Sequence, residues 1–98
     1  MSEKEFAIDE SGLKRWYVNG KLHRSDGPAV EYASGTKHWY VNGLRHREDG
    51  PAVEYADGYN AWYVNGLKYT EEDWQLEMWD NFSETEKEQL IFSGFRNG

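Results

Sequence analysis

The chain has 98 residues and a formal net charge of −7, with five tryptophans, seven tyrosines and no cysteine. A chain of this length forms one domain with a small core, and the composition requires that core to be built from large rings. The lack of cysteine excludes a disulfide framework and thiol chemistry. Because no apolar run approaches the roughly 20 residues of a membrane span and residues 1–5 lack the apolar stretch of a signal peptide, we expect a cytoplasmic protein with no membrane partner.

The negative charge lies at the two ends of the chain. Residues 1–10 sum to −3 and residues 70–98 to −6, whereas residues 11–69 sum to +2. Binding to nucleic acid or to an anionic membrane depends on cationic groups, so this distribution disfavours both.

A pentapeptide, Trp-Tyr-Val-Asn-Gly, occurs three times, at residues 16–20, 39–43 and 62–66, with a spacing of 23 residues. Residues 11–33 and 34–56 are identical at 18 of 23 positions. A fixed period of this size indicates a repeat architecture, in which each unit buries its apolar surface against its neighbours.

Each pentapeptide ends in Asn-Gly, the strongest short-range signal for a β-hairpin. A two-residue turn at Asn19-Gly20 places Tyr17 opposite Leu22 and Trp16 opposite His23. The third copy correspondingly places Trp62 opposite Tyr69.

A second turn follows in each unit, after the Asp-Gly-Pro segment that ends strand pairing. Interpreting Ser34-Gly35 as a two-residue turn sets Val30 against Trp39, and the same rule sets Ala7 against Trp16. The predicted structural core row, on one face of the sheet, is Trp16, His23, Val30, Trp39, His46, Val53, Trp62 and Tyr69. The opposite face is predicted to carry Phe6, Tyr17, Ala29, Tyr40, Ala52 and Tyr63. Whether His23 and Val30 lie on adjacent strands or on one kinked strand stays open.

The last third of the chain has a helical pattern. Thr70 is the expected N-cap of a first helix, and Ser83 with Glu86 forms a capping box for a second helix that ends at Gly94. The predicted fold is mainly β (α+β): a single antiparallel meander of 23-residue hairpin repeats over residues 5–69, capped by two short helices in an acidic segment, residues 70–98. Residues 1–98 are expected to form a single domain.

Catalytic and metal sites are not expected. The position of His23 and His46 becomes Tyr69 in the third unit, so a ring, not a ligand, satisfies it. Arg24 and Asp26 recur one unit later, and identical copies at each turn indicate structure, whereas catalysis needs a singular constellation. We therefore predict no enzyme activity, no metal and no cofactor.

Two charged features suggest further functions. Lysines and arginines alternate with aromatic residues in the repeats, as in surfaces that bind single strands, but the near-zero charge of the repeats disfavours nucleic acid. The acidic helices, in contrast, are suited to imitate a phosphate backbone on a basic site of another protein.

The repeated unit resembles a known family. The segments Gly-Xaa-Lys-Xaa-Trp-Tyr-Val-Asn-Gly and His-Arg-Xaa-Asp-Gly-Pro-Ala-Val-Glu-Tyr, found in residues 12–32 and 35–55, are similar to the variant MORN repeats of bacteriophages and large DNA viruses. The resemblance covers about residues 5–69 and implies a single layer of antiparallel hairpins that binds or scaffolds other proteins without enzymatic activity. It carries no catalytic residue over to this chain.

These observations lead to one functional expectation and two alternatives. The expected function is a small protein-binding module, phage-encoded on the strength of the resemblance, that inhibits or sequesters a host protein, such as a defence protein, in the host cytoplasm. The partner is a host or viral protein, and the predicted contact residues are Tyr17, Tyr40, Tyr63, Glu71, Glu72, Asp73, Glu77 and Asp80. The alternatives are a self-associating structural or scaffold repeat protein, with a homodimer as its simplest form, and an acidic mimic of nucleic acid.

Overall fold

The computed structural model describes residues 3–92 of the chain, with the side chains as far as residue 89. Ten strands are formed: β1 (Lys4–Ile8), β2 (Lys14–Val18), β3 (Lys21–Leu22), β4 (Val30–Glu31), β5 (Lys37–His38), β6 (Tyr40–Val41), β7 (Leu44–Arg45), β8 (Val53–Glu54), β9 (Asn60–Val64) and β10 (Leu67–Tyr69). Helix α1 (Glu71–Glu77), a 3₁₀ turn (Trp79–Asn81) and helix α2 (Glu84–Phe92) follow.

The protein is mainly antiparallel β-sheet with two short helices at its C-terminal side, as the sequence predicts. The strands form two sheets where we expected a single meander. One has eight strands in the order β1-β2-β4-β5-β8-β9-β10 with β3 beside β2, and the other pairs β6 with β7. Trp39 separates β5 from β6, because its N–H donates to the Ala52 carbonyl while its own carbonyl accepts from the N–H of His46.

The Asn-Gly turns close hairpins in the predicted register. Both central residues have positive φ, for example 52° at Asn19 and 78° at Gly20. These values are typical of a type I′ turn, in which asparagine and glycine are favoured. Tyr17 accordingly pairs with Leu22, and Trp62 with Tyr69, as predicted.

The turn at Ser34-Gly35 is longer than predicted by one residue. Tyr32 donates its N–H to the Thr36 carbonyl across a three-residue loop, in which only Gly35 has positive φ, at 103°. A left-handed glycine at the third position is the usual way to build such a loop. The loops that end at Gly12 and Gly58 have the same hydrogen bonds, so all three registers shift by one residue.

This shift corrects the predicted pairs. Val30 lies opposite His38, Val53 opposite Ala61, and Trp16 opposite Phe6, whereas we expected Trp39, Trp62 and Ala7 as the respective partners. A slip of one residue moves a side chain to the other face of a sheet. The predicted core row is therefore wrong for Val30 and Val53, which lie on the face opposite the tryptophans, and the same correction applies to Ala7. Conversely, Phe6, Ala29 and Ala52 lie on the tryptophan side.

We name the two faces of the sheet after the aromatic rings that they carry. The Trp face carries Trp16, Trp39 and Trp62, and the Tyr face carries Tyr17, Tyr40 and Tyr63 together with Val30 and Val53. The three tryptophans are only partly buried. The buried apolar residues between and beside these rows are Ala29, Val30, Ala52, Val53, Ala61, Val64, Trp74 and Met78.

The open question about His23 and Val30 is resolved by the pairing of β2. Strand β3 pairs with the second half of β2, and β4 pairs with its first half. The two short strands therefore follow one another beside β2, and the loop between them carries the Asp-Gly-Pro segment.

Both predicted helix caps are present. Thr70 accepts a hydrogen bond from the Asp73 N–H, and the Ser83 and Glu86 side chains each accept from the backbone N–H of the other residue. The predicted stop at Gly94 lies outside the described residues. Within residues 3–92 no helix is long and apolar enough to cross a lipid bilayer.

Candidate functional site: the Tyr face

The Tyr face is a nearly continuous aromatic surface. Three rows of side chains cross it, because each strand contributes every second residue. The middle row contains Ala7, Arg15, Val30, His38, Val53 and Ala61. One flanking row contains Glu5, Tyr17, Leu22, Tyr40, Arg45, Tyr63 and Lys68, with Glu5 at the far end from Arg45. The other flanking row contains Tyr32, Tyr55 and Tyr59 at the three-residue loops.

His38 lies at the centre of this aromatic surface. Its ring centroid is 5.7 Å from that of Tyr32, 6.3 Å from that of Tyr40 and 6.4 Å from that of Tyr55. Burial lowers the pKa of His38 below its ordinary value of 6.5, and the positive charge of Arg45 lowers it further. The imidazole is therefore neutral at physiological pH and acts as a flat packing surface between tyrosines.

Arg45 lies between two tyrosine rings. Its guanidinium carbon is 5.7 Å from the centroid of Tyr40 and 5.4 Å from that of Tyr63, within the range of cation–π attraction. Among the described residues, neither Arg45 nor Arg15 lies within ion-pair distance of a carboxylate. Arg15 is near enough to Asp9 for its charge to contribute to the lowered pKa of that carboxyl. Within residues 3–92, the Nε atoms of both arginines and Nδ1 of His38 are buried without a hydrogen-bond partner.

The arginines of the Trp face, unlike Arg15 and Arg45, form ion pairs with carboxylates of the chain. Arg47 lies 3.8 Å from the Trp39 ring centroid, and it donates to Asp49, to the Pro51 carbonyl and to Glu54 at 2.8 to 3.0 Å. Arg24 makes the same contacts around Trp16, and its hydrogen bond lowers the pKa of Asp26. The Trp face is therefore an internally neutralised structural surface.

The glycine of Asp-Gly-Pro belongs to this arrangement. A Cβ at Gly50 would lie 2.8 Å from the Arg47 guanidinium carbon, and one at Gly27 would lie 3.2 Å from that of Arg24. Neither glycine has a positive φ. A side chain at either position would displace the guanidinium group, so glycine permits its close approach to the backbone, a role that the turn interpretation of the sequence missed.

The third tryptophan is covered by the first helix. The ring centroids of Trp62 and Trp74 are 4.6 Å apart, and the Trp74 Nε1–H donates to the Arg47 carbonyl at 3.0 Å. Val64 and Met78 pack into the same cluster. The indole of Trp74 thus takes the place on Trp62 that guanidinium groups take on Trp16 and Trp39.

The histidines of the predicted row join neighbouring hairpins. Nδ1 of His23 accepts the backbone N–H of Asn42 at 3.0 Å, and Nδ1 of His46 accepts that of Asn65 at the same distance. These contacts require the tautomer with the proton on Nε2. Tyr69 occupies the equivalent position in the third unit, where helix α1 and not another hairpin follows, so the change from histidine to tyrosine coincides with the last hairpin of the described residues.

The predicted contact residues fall into two separate groups. Tyr17, Tyr40 and Tyr63 lie in one row of the Tyr face but are partly buried. More exposed are Tyr32, Tyr55 and Tyr59, at 44%, 42% and 60%, which the sequence interpretation missed because it assumed a two-residue turn. The predicted acidic contacts are all exposed and belong to α1 and the 3₁₀ turn: Glu71, Glu72, Asp73, Glu77 and Asp80.

No metal-binding cluster of three or more histidine or acidic side chains exists among the described residues. Comparisons with known proteins yield no match to a protein-family model, to a curated protein or to a solved structure.

Proposed function

We propose that this chain is a small protein-binding module, built of MORN-like 23-residue hairpin units, that binds its partner on the Tyr face. The observation that carries the proposal is the contrast between the faces. The Trp-face arginines are neutralised by their own carboxylates, whereas the Tyr face presents exposed rings together with Arg15 and Arg45, which form no ion pair within residues 3–92. Exposed aromatic residues with arginine are typical anchors of protein interfaces.

The sheet supplies the rigidity that such a surface needs. The hydrogen bonds from Asn42 to His23 and from Asn65 to His46 fix successive hairpins relative to one another. A partner then meets rings that are already positioned, which reduces the entropy lost on binding. The resemblance to viral MORN variants extends the proposal to a phage-encoded inhibitor that sequesters a host protein.

Affinity capture from bacterial cytosol, followed by measurement of the affinity for the purified partner, tests this function. Replacement of Tyr32, Tyr55 and Tyr59 by serine should abolish retention of a stoichiometric partner. The matched control replaces Leu44 and Leu67 by serine, since these side chains are as exposed, at 49% and 65%, but lie outside the Tyr face. Equal retention by both variants would contradict the proposal.

Self-association is a second candidate because of the edge strand β1. Phe6 and Ile8 on this strand are 53% and 56% exposed, and β1 pairs only with β2 among the described strands. A five-residue edge with exposed apolar side chains is a template for pairing with another chain. Sedimentation at increasing concentration measures the oligomeric state. A monomer at all concentrations would exclude this function. A dimer that the change Phe6→Pro abolishes would show that the chains associate through β1.

A further inference from the structure

The unpaired cations of the Tyr face indicate what kind of surface the partner presents. We propose that the Tyr face takes an acidic peptide segment, whose carboxylates pair with Arg45 and Arg15 while its apolar groups lie on the tyrosine rings. The inference rests on the proposed function and adds the chemistry of the partner to it.

Arg45 is positioned to accept a carboxylate from a partner. Its guanidinium lies between Tyr40 and Tyr63, and among the described residues its buried Nε has no acceptor, so the group is oriented and partly shielded from water. A partly shielded cation without a counter-ion is costly in the free protein. A carboxylate from outside would pair with the remaining guanidinium N–H groups, in the geometry that favours bidentate hydrogen bonds.

The two arginines that stack on tryptophans, Arg24 and Arg47, have carboxylate partners within the chain, whereas Arg45 does not among the described residues. Glu31 and Glu54 lie opposite lysines on the Trp face and also bind Arg24 and Arg47. The positions of the Tyr face that neighbour Arg45 carry tyrosine and lysine, with Lys68 opposite Tyr63. In a chain with a net charge of −7, this part of the surface has an excess of positive charge.

The charge distribution of the chain favours a peptide over a nucleic acid. A phosphate backbone would also pair with Arg45, but its affinity depends on many cations along the strand. The acidic ends of this chain, with −3 in residues 1–10 and −6 in residues 70–98, would repel a polyanion that extends beyond the Tyr face. A segment with a few carboxylates between apolar side chains satisfies the arginines without that repulsion.

The test is a titration of the ¹⁵N-labelled chain, followed by NMR, with three probes: a short acidic peptide in which glutamate alternates with leucine, a neutral peptide with glutamine in place of each glutamate, and an oligothymidylate strand. The acidic peptide should shift the amide signals of Tyr40, Arg45 and Tyr63, and added salt should weaken this binding. The neutral peptide should bind more weakly. Tighter binding of oligothymidylate than of the acidic peptide would overturn the proposal, and so would equal binding of the two peptides.

A pair of matched variants assigns the binding to the face. The double change Arg15→Gln and Arg45→Gln should weaken binding of the acidic peptide about fivefold or more. The change of Lys14 and Lys37 to glutamine removes the same charge from the Trp face and should alter the affinity by less than about twofold. Equal weakening by both double variants would overturn the inference. Arg45→Lys, which keeps the charge but loses the planar group, should retain part of the affinity and keeps the test valid if the double variant unfolds.

The captured partner separates this inference from the function on which it rests. A partner that the tyrosine variant releases but the arginine variant retains with unchanged affinity would overturn the acidic segment and leave the proposed function standing. A partner that both variants retain would overturn the proposed function itself.

Discussion

The indole of Trp74 lies on Trp62 at a centroid distance of 4.6 Å, in the place where Arg47 lies on Trp39 one hairpin earlier. The helix thus completes the last hairpin with a ring instead of a cation. Because Trp74 is only 3% exposed and also donates a hydrogen bond to the Arg47 carbonyl, it connects two hairpins with one side chain.

Trp74→Ala should lower the free energy of unfolding by about 3 kcal/mol, since it empties a buried aromatic site and leaves the Arg47 carbonyl without its donor. Urea denaturation followed by circular dichroism measures the loss. The control is Leu76→Ala on the same helix, where the side chain is 42% exposed and the expected loss is below about 0.5 kcal/mol. Similar losses for the two variants would mean that α1 does not stabilise the sheet.

His23→Phe should cost about 1 to 2 kcal/mol of unfolding free energy. Phenylalanine keeps a ring but removes the acceptor for the Asn42 N–H. Tyr69→Phe, at the equivalent position of the last hairpin, should cost less than about 0.5 kcal/mol, because no asparagine N–H is bound there. Equal effects of the two changes in thermal and urea unfolding would mean that the hydrogen bond between His23 and Asn42 does not stabilise the contact between hairpins.

Gly50→Ala should destabilise the protein by about 1 to 2 kcal/mol, more than Gly27→Ala does. The added Cβ would meet the Arg47 guanidinium carbon at 2.8 Å, and the group would have to shift, which weakens its hydrogen bonds to Asp49 and Glu54. At Gly27 the corresponding distance is 3.2 Å, so a smaller shift suffices. Comparison of the two urea midpoints checks the order, and a neutral Gly50→Ala would show that the guanidinium is free to move.

Stability should decline in mild acid because of His38. Burial and Arg45 lower the pKa of this group in the folded protein, so the unfolded chain binds its proton more tightly. The stabilising contribution is complete above the ordinary pKa of 6.5 and is lost as the pH falls from there through the lowered pKa. His38→Phe keeps the aromatic contacts and removes the proton site.

The difference in unfolding free energy between the original protein and His38→Phe should therefore shift in favour of the variant between about pH 7 and pH 5. Urea denaturation at several pH values measures that difference, and the remaining histidines are common to both proteins. A difference that is independent of pH would contradict the lowered pKa.

The turns decided how much of the fold could be predicted from the sequence. Asn-Gly determines both the loop length and the backbone conformation, so the pairs Tyr17 with Leu22 and Trp62 with Tyr69 were predicted correctly. Ser34-Gly35 is compatible with two loop lengths, and the three-residue loop reversed the faces of Val30 and Val53. Local residue types do not distinguish these loops.

The candidate site was only partly predictable for the same reason. The row of Tyr17, Tyr40 and Tyr63 follows from the Asn-Gly hairpins alone, and the structure places these residues together. The exposure of Tyr55 and Tyr59 depends on the three-residue loops. The unpaired state of Arg45 depends on which face each carboxylate occupies, which only the correct register shows.

Tyr69 stands where the first two units have histidine, and this difference bears on how many hairpins the array contains. His23 and His46 each accept a hydrogen bond from the backbone N–H of the next Asn-Gly turn, so each histidine holds the following hairpin in place. Tyr69 lacks that acceptor, and the chain turns into a helix at the following residue. We therefore expect that a longer array would form if Tyr69 were replaced by histidine and one more unit were inserted before Thr70.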